Sequence, residues 1–144
     1  MIAVDTNVLL RRLLNDDATQ AERARQLFET QESVLITDVV LAETIWTLTG
    51  KRYGARKEDL AAVVTGLLEE HNVVFESRQA VWSALNDYLD ALPIKTVSGI
   101  RTADLADALV VNKAKITAQL RNEPYRGTYT YDQAALALEG MKAP

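Results

Sequence analysis

Three short apolar runs, Ile2-Ala3-Val4, Val34-Leu35-Ile36-Thr37 and Val73-Val74-Phe75, each lead into a stretch with helical periodicity. Strand-length runs alternating with amphipathic helices point to an α/β sandwich, because parallel strands need a crossover between them. The first helix carries Val8, Leu9, Leu10, Leu13 and Leu14, with Thr6-Asn7 offering its cap, and the second carries Ala21, Ala24, Leu27 and Phe28. Asp38 is placed to cap a third helix that Gly50 ends, and Leu60, Val63, Val64, Leu67 and Leu68 give the fourth its apolar stripe. A fifth runs from Ser77 to Pro93, and a loop at Lys95 to Ile100 leads into a sixth, capped by Thr102 and reaching about Ile116. Thr128-Tyr129-Thr130-Tyr131 reads as a last strand of the same sheet, followed by a short helix from Gln133 to Leu138. The expected architecture is a three-layer α/β/α sandwich with a mainly parallel central sheet, in one domain spanning residues 1–144. That length can bury a core without staples.

The chemistry open to such a chain is narrow. Cys is absent and His71 is the only histidine, which removes thiolate sites, histidine-rich zinc sites and cysteine nucleophiles. No apolar run approaches the roughly 20 residues of a membrane span, and Met1 to Asp5 lack a basic leader region. A cytoplasmic protein with no membrane partner is expected, and its catalytic resource would be carboxylates. In parallel sheets ligands gather beyond the carboxyl ends of the strands. Asp5 closes the first strand there, and Asp132 closes the last strand run. Glu43 falls among Leu41, Ala42, Ile45 and Trp46, and Asp107 lies within Leu105-Ala106-Asp107-Ala108-Leu109, with Asp104 three residues earlier on the same face.

An acid among apolar neighbours is costly unless paired, and these stretches supply no Arg or Lys. Converging carboxylates repel one another, and a divalent cation removes that conflict. Oxygen ligands without Cys or His favour Mg²⁺ or Mn²⁺. Each acid has a plainer reading alone: Asp5 and Asp132 as turn or cap residues, Glu43 as a solvated helix position, Asp104 as a first-turn acid near the helix dipole. The joint pattern is what favours a site. Trp46, Trp82 and Leu60 sit on helical stripes and are expected in the core or an interface, and His71 at the surface.

Asp5-Thr6-Asn7 after a strand, Leu41-Ala42-Glu43, Ala106-Asp107-Ala108-Leu109 and Thr130-Tyr131-Asp132 together resemble the motifs of PIN-domain ribonucleases. The size and element order look like the VapC toxins of VapBC toxin–antitoxin pairs. The resemblance implies a Mg²⁺- or Mn²⁺-dependent endoribonuclease acting on RNA, often transfer or ribosomal RNA. It assigns Asp5, Glu43 and Asp107 to the metal-binding core, Asp132 as a fourth acid and Asp104 as a ligand or its support. Asn7 and Thr130 fall where the family places supporting polar groups. Asp132 follows Asp107 by 25 residues, longer than in compact members. A VapB-type antitoxin and a homodimer are the implied partners.

RNA must reach an acidic centre, so a basic rim is expected. Arg11, Arg12, Lys51 and Arg52 are the leading candidates, joined by Arg56, Lys57, Lys113, Lys115, Arg121 and Arg126. The formal charge of −4, from 16 bases and 20 acids, is compatible with RNA if several acids are neutralised by bound metal. Two other classes remain open: a metal-dependent phosphatase or phosphoryl-accepting switch, and a non-catalytic interaction module. A phosphoaspartate enzyme would want an acid where Asn7 stands.

Overall fold

The computed structural model describes residues 1–144 and divides into two compact units, Met1–Arg78 and Gln79–Pro144. In the first unit, β1 (Ile2–Ala3), β2 (Val34–Ile36) and β3 (Val73–Phe75) form a parallel sheet in sequence order. The register pairs Ile2 with Val34 and Val34 with Val73, so the carboxyl ends of the strands are level. Helices α1 (Thr6–Leu13) and α2 (Ala18–Thr30) connect β1 to β2, and α3 (Asp38–Thr49) and α4 (Lys57–Glu69) connect β2 to β3. Alternation puts Val34, Ile36, Val73 and Phe75 in the core, where Leu9, Phe28, Leu41, Ile45, Val64 and Leu67 are buried too.

The helix starts differ from expectation by one or two residues. Asp5, not Thr6 or Asn7, caps α1, its Oδ1 accepting from Val8 N at 2.9 Å. Thr37, not Asp38, caps α3 by accepting from Val40 N. Each true cap is the last extended residue after the strand, so the chain turns as soon as the sheet ladder ends. Asn72 enters β3 buried, and its Nδ2 donates to Phe28 O at 2.6 Å and Gln31 O at 3.0 Å. It thereby satisfies carbonyls at the end of α2 that the helix cannot.

The second unit is built from α5 (Arg78–Asp90, all but its first residue), β4 (Ile94–Thr96), β5 (Gly99–Arg101), α6 (Leu105–Leu120), β6 (Thr128–Tyr129) and β7 (Met141–Lys142). The segment expected as a loop at 95–100 is an antiparallel hairpin, pairing Lys95 with Ile100 and Thr96 with Gly99. The strand expected at 128–131 does not join the central sheet. Only Thr128 and Tyr129 are regular, and they pair in parallel with Met141 and Lys142. The helix expected at 133–138 is a single 3₁₀ turn at Ala135–Ala137. Asp104, not Thr102, caps α6. At Gly140, φ is +97° and a Cβ would meet the Tyr125 ring at 3.1 Å, so only glycine fits the turn into β7.

Trp46 and Trp82 are 58 % and 57 % exposed, so neither is a core residue, whereas Leu60 is buried. Replacing Asn72 with Ala takes its donor from one buried and one half-buried carbonyl and should cost about 1–3 kcal/mol. Urea unfolding should show a lower midpoint at an unchanged slope. An unshifted midpoint would remove Asn72 as the tie between α2 and β3.

Candidate functional site

In the first unit the sheet's carboxyl edge carries Asp5, and the helix beyond β2 carries Glu43. Both are exposed, although Glu43 has apolar neighbours in sequence, because its side chain leaves the helix on the side away from the buried Leu41, Ile45 and Leu48. The Thr6 hydroxyl donates to Glu43 Oε2 at 2.5 Å, tying the start of α1 to α3. Thr6 was not among the expected site residues. A hydroxyl between Asp5 and Asn7 reads locally as a capping group, and its partner lies 37 residues away. Asn7 is exposed and borders a groove of about 260 Å³ between α1 and α2.

In the second unit three acids gather around the start of α6. Asp104 Oδ1 accepts from Asp107 N at 2.7 Å, and Asp107 Oδ2 accepts in return from Asp104 N at 3.3 Å. Two like charges are thereby held together by the reciprocal bonds of a capping box. Asp132 Oδ1 accepts from Ala134 N at 2.8 Å and Ala135 N at 3.1 Å, which starts the 3₁₀ turn. Thr130 Oγ1 accepts from Asp132 N at 3.0 Å and orients that residue. Burial raises the pKa of Asp107 to about 6, with the charges of Asp104 and Asp132 adding to the effect and the bond from Asp104 N opposing it.

The expected basic rim is largely engaged within the fold. Arg11 donates to Asp16 and Gln20, and Arg12 pairs with Glu70 at 2.5 Å while lying over the Phe28 ring. Arg52 reaches Asp16 at 3.8 Å, Arg56 reaches Asp59 at 3.8 Å, and Arg121 pairs with Glu123. Arg12 in particular is a structural residue, since its guanidinium is mostly covered and its Nε is buried without a partner. Lys51 is exposed on the turn after α3.

All the candidate acids offer hard oxygen donors, and the charges of Asp104 and Asp132 add to the effect of burial on Asp107, so the donor chemistry fits a divalent cation. No three acidic side chains are arranged to hold an ion as they stand. Each instead turns toward a nearby donor: Glu43 to Thr6, Asp5 and Asp132 to helix-start amides, and Asp104 to Asp107.

A model of the PIN domain matches residues 2–118. The chain belongs to the PIN domain family. PIN domains are generally metal-dependent nucleases and typically use divalent ions. The match spans Asp5, Glu43, Asp104 and Asp107 and ends before Thr130 and Asp132, which this PIN domain carries on its β6–β7 segment. No curated protein matches the chain.

A raised pKa makes Asp107 hold its proton more tightly in the folded than in the unfolded chain. Stability contributed by the protonated form is therefore lost as pH rises from about 4 to about 6. Asn at this position keeps the acceptor for Asp104 N and carries no charge. In chelator, Asp107→Asn should match the parent below pH 4 and exceed it at pH 7 by about 1 kcal/mol, after discounting for solvent screening. Thermal melts across that range check the sign; a variant less stable than the parent at pH 7 would refute the electrostatic account.

Proposed function

We propose that this PIN domain is a Mg²⁺- or Mn²⁺-dependent endoribonuclease, the VapC-type toxin of a type II toxin–antitoxin pair. The observation that carries the reading is the cluster at the head of α6, where burial, with the charges of Asp104 and Asp132 adding to it, raises the pKa of Asp107 inside a nuclease-family chain. By their resemblance to the family's motifs, Asp5, Glu43 and Asp107 are the ion-holding acids in this reading, with Asp104 and Asp132 assisting. A bound divalent ion supplies Lewis acidity, acidifying water and offsetting charge on a phosphoryl group.

The chain's own residues do the rest. Asp5 stays anchored through Oδ1 on Val8 N, which leaves its second carboxylate oxygen for ligation. Thr6 holds Glu43 by one oxygen and so limits its rotation. The Asp104–Asp107 capping box fixes both carboxylates against the rigid first turn of α6. Asp107, its pKa raised to about 6, exchanges its proton for a cation on the acid side of neutrality and is ionised for one at pH 7. No helix is long and apolar enough to cross a membrane. The partners in this reading are the RNA substrate, a transfer or ribosomal RNA, a VapB-type antitoxin that covers the acids, and a second copy of the chain.

Purified protein should cut RNA with Mg²⁺ or Mn²⁺ and not with EDTA. Asp5→Asn and Glu43→Gln should abolish cutting while melting like the parent. Parental rates in these well-folded variants would overturn the assignment. Thr6→Val should raise the ion concentration needed for half-maximal cutting about 10-fold, as loss of an outer partner of a ligand does. Excess Mg²⁺ should restore its rate. Growth arrest on expression, relieved by a small protein from the adjacent reading frame, tests the toxin role.

A further inference from the structure

Between Asp90 and Asp104 the only charged residues are Lys95 and Arg101, both exposed and both on the β4–β5 hairpin. In its register Lys95 stands opposite Ile100 and Arg101 opposite Ile94, so each face of the hairpin presents one cation. Neither enters an ion pair, unlike Arg11, Arg12, Arg25, Arg52, Arg56 and Arg121. The hairpin is joined to the acid cluster at two points. Near its tip Val97 N donates to Oε1 of Gln133, the neighbour of Asp132, at 3.1 Å. Beyond its second strand the chain runs through Thr102 and Ala103 directly into Asp104.

The residues before Asp132 add a second feature. Exposure alternates along 128–131, with Thr128 and Thr130 half-buried and Tyr129 and Tyr131 exposed by 62 % and 88 %. The threonines have internal partners, Tyr125 Oη for Thr128 and the Asp132 amide for Thr130. Two phenol rings are thus held in solvent on an anchored segment beside an acid. Unpaired bases offer faces to such rings, whereas a duplex keeps its bases stacked on one another. Exposed cations, one on each face of the hairpin that Val97 ties to Gln133 beyond this segment, attract the phosphates of a strand that crosses it.

We propose that Tyr129, Tyr131, Lys95 and Arg101 form the recognition surface for the RNA strand, the rings stacking on unpaired bases and the cations holding adjacent phosphates. This rests on the nuclease reading above and supplies specificity residues for it. None of the four belongs to the ion-holding set.

Fluorescence anisotropy in EDTA, with a single-stranded RNA oligonucleotide and its duplex, tests the surface. The parent should bind the single strand more tightly than the duplex. Tyr129→Ala with Tyr131→Ala should weaken that binding about 10-fold or more, by loss of base stacking. The paired Phe substitutions should retain it, which separates stacking from folding damage. Lys95→Ala with Arg101→Ala should flatten the slope of log affinity against log salt by about 1.4. Tight duplex binding, no binding at all, or alanine variants that bind like the parent would each overturn the surface. Cleavage of the same oligonucleotides in Mg²⁺ is scored separately. Cutting by the parent with undiminished cutting by the tyrosine variants would overturn the surface and leave the nuclease reading standing. Tyrosine-dependent binding without cleavage in either ion would support the surface and overturn the nuclease reading.

Discussion

The bond between an acidic side chain and the free amides at the start of a helix governs the arrangement of this protein. Asp5 makes it at α1, Asp104 at α6 and Asp132 at the 3₁₀ turn. The first amides of any helix have no partner within it, and a short carboxylate satisfies them while pinning the side chain to a rigid frame. Asp5, at the level carboxyl edge of the β1–β2–β3 sheet, is thereby fixed where the strand gives way to helix. Position and stability come from the same bond.

That arrangement creates an electrostatic problem. Asp104 and Asp107 are locked together by their reciprocal backbone bonds, and the charge of Asp132 reaches the same point. Arg101 and Lys95 on the preceding hairpin are exposed and enter no ion pair with them. Burial first, and this crowding with it, draws the Asp107 carboxyl toward its protonated form. A site with unneutralised negative charge and hard oxygen donors is chemically suited to a divalent ion, which agrees with the usual habit of the family.

Much of the first unit was legible in the sequence. Apolar strand runs and helical stripes are local patterns, and they gave the three parallel strands and the helices between them. Cap positions slipped because Asp, Thr and Asn are neighbours at each turn and all can cap. The second unit was harder. The β4–β5 hairpin has no alternation strong enough to mark it, and the two-residue β6–β7 pairing depends on partners across an intervening turn. The candidate acids could be named from their surroundings, but Thr6 could not, since its role depends on a contact with a distant helix. Of the two places expected for Trp46 and Trp82, core or interface, their exposure excludes the core, because periodicity reveals a stripe without saying whether this chain covers it.

The capping bonds also bear on how such a chain would drift if its activity were no longer needed. Asp5, Asp104 and Asp132 would still be held to a small set of capping residues such as Asp, Asn and Ser, because losing the cap at a helix or turn start costs about 0.5–2 kcal/mol. Glu43 begins no helix, lies exposed in mid-α3, and receives only the exposed hydroxyl of Thr6. Across descendants of this fold, position 43 is therefore the acid free to mutate first, and an intact glutamate there is the better indicator that the chemistry is still under selection.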